Sequence, residues 1–321
     1  MADNGWRFER GARVWVAGSR GLVGSALAER LRLDGADVVD APRSELDLRD
    51  PDAALAFAEE ARPEALVLAA AVVGGIADNL ARPAVYARDN LLIHVNAIHA
   101  AAAAGAKCLC VVGSSCMYPR DCPQPMRESM LWSGILEPTN SAYAAAKLAA
   151  TETALAYGRQ HGIAVVIPVA PNLFGERDRF DRQRCHFLPG MVGAFCDAAD
   201  SQSDHVVLWG TGKPRREAMH ARVYADGIAR LLRACPDAGV VNLGTTSDRT
   251  IKDWARLVAK ACGFKGRIEW DEAKPDGMPR KMLDSARAWD LIAWEPEDDL
   301  ELGLRRLAQA YREGKREGTL R

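Results

Sequence analysis

The feature that most limits how this chain can fold is an alternation repeated down its first half. Short β-branched runs take turns with longer stretches of helical periodicity. RVWVA at 13–17 gives way to the turn GSRGLVG and then to SALAERLRLDG, where Ala26, Leu27, Leu31 and Leu33 are expected to cover one helix face. ADVVD at 36–40 is followed by AALAFAEEA, EALVLAAA runs through VVGG into AVYARDNLLIHVNAIHAAAAAG, and AKCLCVVG closes the series. Strands separated each time by a helix do not pair as hairpins. They return in the same direction and build a parallel sheet covered on both faces. The expected fold is therefore α/β, a doubly wound parallel Rossmann sheet with a smaller C-terminal substrate-binding domain.

Such a sheet needs a large core, and 321 residues of which 48% are hydrophobic can supply one. The formal net charge of -1 offers no global positive field, so nucleic acid is not expected as a partner. The first residues, MADNGWRFERGA, scatter charges around Trp6 and Phe8 and look unlike a secretory leader. No window reaches the roughly 18 uninterrupted apolar residues of a membrane span, so no membrane partner is expected. Eight cysteines are sparse for a disulfide scaffold of this length. The expectation is a cytoplasmic protein with reduced thiols.

Gly18, Gly21 and Gly24 form a GxxGxxG turn between the first strand and the first helix. In that place Gly18 permits the tight turn, Gly21 leaves room for a pyrophosphate, and Gly24 lets helix and strand approach. The helix N-terminus adds unpaired backbone donors and a positive end. The expected contacts of a dinucleotide are Gly18, Arg20, Gly21, Leu22, Val23 and Gly24, with Arg43 after the second strand, Asp47 beneath an adenine, and Tyr143 and Lys147 farther along the chain. Arg20 and Arg43 could clamp an adenosine 2'-phosphate, which favours NADP(H). Asp40 pulls the other way: it could accept from an unphosphorylated ribose, or simply face solvent.

Further on, the apolar run CLCVVG ends on SSCMYP, and SAYAAAKLAA follows. Tyr143 and Lys147, four residues apart, share a helix face. In a dinucleotide fold Tyr143 could give a proton to the alkoxide formed by hydride transfer, Lys147 could favour the tyrosinate, and Ser114 could donate to the same oxygen. A nonenzymatic dinucleotide-sensing module would have no use for that arrangement. No histidine, cysteine and carboxylate set has zinc spacing, so no catalytic metal is expected.

GSRGLVG, AAAVVGGI, GSSCMYP, EPTNSAYAAAKLA, WGTGKPRRE and KPDGMPRK together resemble the extended short-chain dehydrogenase/reductase family, and within it the epimerase/reductases of GDP-linked 4-keto-deoxy sugars, from about residue 13 to 315. The resemblance implies NADPH as reductant, a GDP-linked 4-keto-deoxy sugar as substrate and a homodimer. It implies a reductase triad of Ser114, Tyr143 and Lys147, with Cys116 as the base and His186 as the acid of epimerisation. Asn172, Trp209, Arg216 and Lys281 match substrate-side positions, with Arg216 and Lys281 facing a diphosphate. The expected division is an N-terminal extension at 1–12, the main NADP-binding Rossmann domain at 13–170, and a mainly sugar-nucleotide-binding domain at 171–321 that returns some elements to the sheet. The segment APNLFGERDRF departs from the family's usual PTNxxGPHDNF at Pro171, Glu176, Arg177 and Arg179, changes expected to fall on substrate-side loops.

Overall fold

A computed structural model describes residues 5–181, 184–274 and 276–320, so Pro275 of KPDGMPRK and the first four residues of the extension lie outside it. The first strands are β1 (Arg13–Ala17), β2 (Asp37–Val39), β3 (Ala65–Leu68), β4 (Cys108–Val111), β5 (Gly113–Ser114), β6 (Ala164–Ala170) and β7 (Asn172–Phe174). After them come β8 (His205–Trp209), β9 (Arg215–Arg216), β10 (Ala218–His220), β11 (Gly239–Asn242), β12 (Arg249–Thr250), β13 (Arg267–Asp271) and β14 (Arg280–Lys281). The helices of the first half are α1 (Leu22–Leu33), α2 (Pro51–Ala61), α3 (Ile76–Ala81), α4 (Pro83–Ala103) and α5 (Ser141–His161). The second half adds α6 (Phe187–Asp200), α7 (Ala221–Ala234), α8 (Ile251–Cys262), α9 (Ala286–Ile292) and α10 (Leu300–Glu317).

The large sheet runs β11-β6-β4-β3-β1-β2, with β5 also beside β6. Every pairing in it is parallel. Alternation along the strands sorts their side chains into two cores. Val14 and Val16 join Leu27 and Leu31 of α1 and Tyr224 and Ile228 of α7 on one face. Trp15, Leu66 and Leu68 meet Ile93 and Ile98 of α4 and Ala150 and Ala154 of α5 on the other. Leu27 and Leu31 are fully buried, each contributing roughly 2 kcal/mol by leaving water. Leu33 does not share their face: it is 78% exposed. Two residues beyond Leu31, it has rotated roughly 200° around the helix.

Beyond β6 the chain builds the smaller sheets and then comes back. β7 pairs with β10, β8 with β13, and β9 lies between β12 and β14. Trp254 of α8 and Phe195 of α6 centre a third core that includes Leu304 and Leu307 of α10. Between these pieces, α7 and β11 return to the large sheet, β11 beside β6. Among the described residues, no helix is long and apolar enough to cross a membrane.

Candidate active site

The glycine turn is built for close approach. Gly18 has φ +88, and a Cβ there would lie 2.7 Å from the Ala70 backbone. A Cβ on Gly24 would lie 2.1 Å from the Gly18 carbonyl oxygen, so that position admits no side chain. Gly21 is the N-cap of α1 in extended conformation, and no side chain caps the helix, which leaves its first amides for another acceptor. Ser19 is buried, and its hydroxyl has no hydrogen-bond partner among the described residues. An uncapped helix start and a cradle closed to Cβ atoms fit the pyrophosphate end of a dinucleotide, and the orphaned hydroxyl marks a further polar contact beside it.

The flanking charges are arranged differently from the sequence expectation. Asp40 is partly buried, and one oxygen of its carboxylate accepts from Arg32 at 2.7 Å. Arg43 is exposed. The Asp47 carboxylate is committed to Arg49, which also reaches Asp89 at 3.1 Å. The Arg49 hydrogen bond holds the Asp47 carboxyl at about 2, far below the usual range. A role beneath an adenine therefore rests on the backbone around Asp47, its carboxylate being engaged.

The second cluster gathers where the sheet ends. Ser114 is the last residue of β5, and a single tight turn, Ser115–Met117, begins directly after it. The Ser114 hydroxyl accepts from the Cys116 amide at 3.2 Å, which fixes the turn. The turn aims the Cys116 thiol at two donors: Asn140 Nδ2 at 3.1 Å and Lys281 Nζ at 3.2 Å. Burial opposes ionisation of that thiol. The Lys281 charge and the hydrogen bonds from Ser114, Lys281 and Asn140 outweigh it and hold the thiol below its ordinary value. The two thiols of β4 behave differently: burial pushes Cys108 well up and lifts Cys110 to about 12.

Tyr143 and Lys147 stand on the first turns of α5. The Tyr143 ring meets Tyr86 edge-on, with centroids 6.4 Å apart. Burial raises the phenol above its usual value and the nearby Cys116 adds to this, while the Ser114 hydroxyl opposes both. Lys147 is buried and donates to the Val112 carbonyl at 2.9 Å. Burial brings its ammonium down to about 8.

The remaining candidates surround this centre. His186 is the N-cap residue of α6. Desolvation, then the positive charges of Lys281 and Arg179, hold its imidazole below the usual value. Arg216 donates to the carbonyls of Arg215 at 2.8 Å and Met278 at 2.6 Å. Burial lowers its pKa, against the pull of Cys116. Asn172 donates to the Glu217 carbonyl at 2.7 Å, so its amide braces the loop. Trp209 is 68% exposed, with the Lys274 ammonium 5.5 Å from its ring centre. Asn140 was not expected at the site. Its signal lay in EPTN, directly before the helix bearing Tyr143. Among the described residues, no group of histidine, cysteine and carboxylate side chains could hold a metal.

Residues 14–244 match the NAD dependent epimerase/dehydratase family. The chain belongs to that family. Its relatives include GDP-L-fucose synthase 1 of Arabidopsis thaliana, 42% identical over 92% of this chain and 92% of that protein. The GDP-L-fucose synthase of Escherichia coli (strain K12) is 39% identical over 94% of this chain and 97% of that protein. Among solved structures, a GDP-6-OMe-4-keto-L-xylo-heptose reductase from C. jejuni superposes with a TM-score of 0.89 at 28% identity, covering 96% of this chain and 99% of that one.

Proposed function

We propose that this chain carries out 3,5-epimerisation and NADPH-dependent 4-keto reduction of GDP-4-keto-6-deoxy-D-mannose to give GDP-L-fucose. The observation that carries this reading is the Cys116 thiol, held between Lys281 and Asn140 one tight turn from Ser114. A reductase alone needs the hydroxyl, the phenol and the lysine. A thiol kept acidic beside them adds a base.

The ketone at C4 acidifies the C–H bonds at C3 and C5. Cys116 thiolate takes one of these protons, and the electron pair moves onto the C4 oxygen as an enolate. Ser114 and Tyr143 donate hydrogen bonds to that oxygen. His186 returns a proton to the opposite face of the carbon, which inverts the centre. Once Cys116 has released its proton to solvent and His186 has taken one up, the same exchange at the second carbon completes the epimerisation. The glycine turn of Gly18, Gly21 and Gly24 would hold NADPH, which when bound would supply the hydride for C4. Tyr143 then protonates the product oxygen; its raised pKa keeps the phenol protonated until negative charge develops there. Arg216 takes the diphosphate as a rigid donor fork.

A second reading is a related 4-reductase of an NDP-linked 4-keto-deoxy hexose or heptose, with altered or absent epimerisation. The resemblance to the heptose reductase and the changed 170–180 segment favour it. Incubation with GDP-4-keto-6-deoxy-D-mannose in deuterium oxide without NADPH separates the two. Deuterium at C3 and C5, followed by GDP-L-fucose when NADPH is added, is the expected result; a product without deuterium at either carbon supports the second reading. We also assign a cytoplasmic homodimer. Leu91, Leu92 and Val95 of α4 are 39%, 39% and 42% exposed, a stripe that a second copy would cover. Sedimentation at a single-chain mass would remove that assignment.

A further inference from the structure

Arg177, expected on the substrate side, lies instead at the cofactor end. It lines a cavity of about 640 Å³ together with Ser19 and Arg20 of the glycine turn, Arg32 of α1 and Asp40 after β2. The loop after β7 delivers it there. On one side of Arg177, the Glu176 carboxylate lies 3.2 Å from His220 Nε2 and 3.9 Å from the Arg222 guanidinium. On the other, Asp178 is buried and accepts from the Arg179 amide at 2.8 Å. With both neighbours tied, the arginine between them projects outward, exposed and without an ion pair to any described residue.

Three observations describe what this corner would hold. Ser19 contributes a buried hydroxyl that no described residue satisfies. Arg20 and Arg177 reach the same cavity from two distant parts of the sequence. Asp40, the carboxylate that would repel an anion, is neutralised by Arg32 at 2.7 Å. A hydroxyl and guanidinium forks around a polar cavity suit a phosphate group. The cavity lies between the glycine turn and the end of β2, where the adenosine ribose of a dinucleotide sits in this fold.

We propose that Arg177 is a specificity residue for the adenosine 2'-phosphate of NADP(H), closing over it from the loop after β7 while Ser19 and Arg20 hold it from below. This rests on the dinucleotide chemistry proposed above and adds to it the group that selects the phosphorylated cofactor.

Equilibrium titrations of the purified chain test this without turnover, using NADPH, NADH, 2',5'-ADP and 5'-ADP. Arg177→Gln should weaken NADPH and 2',5'-ADP by about 10- to 30-fold, the scale of a lost charge-assisted contact, with NADH and 5'-ADP unchanged. Arg177→Lys should recover part of the loss, and Ser19→Ala should show a smaller loss with the same selectivity. The preference for NADPH should also narrow as salt rises, because Arg177 is exposed. Equal losses for all four ligands would assign Arg177 to the pyrophosphate and overturn the proposal, as would no loss at all. A native chain that binds no dinucleotide would remove the proposed function itself, whereas one that binds NADH as well as NADPH would remove only the role of Arg177.

Discussion

The two halves of the candidate site are built in different ways. Ser114, Tyr143 and Lys147 lie within 34 positions of one another and hang on the buried end of the large sheet and on α5. The thiol's surroundings come from farther away: Lys281 is 165 residues along the chain from Cys116, on a two-residue strand of a small sheet. His186 sits at a helix start beyond the long α5–β6 unit. In the proposed division of labour, the reducing half is fixed by local packing and the proton-moving half by tertiary contacts between the sheet and the smaller elements. A change that loosens the small sheets should reach proton exchange before it reaches reduction.

The largest separation should come from Tyr143→Phe. It removes the proton donor but not the cofactor cradle, so C4 reduction should fall by roughly 10²- to 10⁴-fold while NADPH affinity holds. Unchanged reduction measured by NADPH oxidation would dissolve the division at its firmer end. Cys116→Ser should lower deuterium exchange at C3 and C5 by about 10²-fold or more, because a hydroxyl is a far weaker acid than the thiol. Full exchange in that variant would reassign the base.

A smaller effect tests the long-range contact. Lys281→Met removes the positive charge that favours the thiolate, so the Cys116 pKa should rise and the thiolate fraction near neutral pH should fall. Exchange at pH 7 should drop by about 10-fold, one pKa unit's worth, and recover toward alkaline pH. Alkylation of Cys116, followed by peptide mass spectrometry, should show the same alkaline displacement. An unmoved alkylation profile would mean that Lys281 only binds substrate.

The smallest effect concerns the loop that carries Arg177. Burial raises the Asp178 carboxyl to about 7, and one of its oxygens has no partner among the described residues. Its folded value lies above the unfolded one of about 4, so its contribution to stability is full below pH 4 and is lost as pH rises through 7. Asp178→Asn should therefore raise Tm by about 2 °C at pH 8 and leave it nearly unchanged at pH 4. Equal shifts at both pH values would show that the charge is not the cause.

What could be read in the sequence follows the same division. The order of strands and helices, the glycine turn and the pairing of Tyr143 with Lys147 depend on residues close together, and periodicity and spacing expose them. Leu33 was misplaced because its apolar character said nothing of helical phase. Asp40 and Asp47 were legible as acids near a nucleotide, but their partners Arg32 and Arg49 depend on side-chain directions. The pattern of the 170–180 segment as a whole points to the substrate side, whereas the surroundings of Glu176 and Asp178 turn Arg177 alone toward the glycine loop. Asn140 acquires meaning only when the turn at Ser115–Met117 brings a sulfur to it.

Glu217 carries a last consequence. Its buried carboxylate accepts from the amides of Thr245, Thr246 and Leu283, lashing three separate stretches of backbone together beside Arg216. Arg216 and Lys281 face each other in the register of β9 and β14, so they ride on this one knot. With Arg216 at the diphosphate and Lys281 at the sulfur, as proposed, the two contacts are not independent: a slip of that short ladder shifts both cations at once. New sugars would more easily be accommodated by altering the outer rim than by redrawing the ladder.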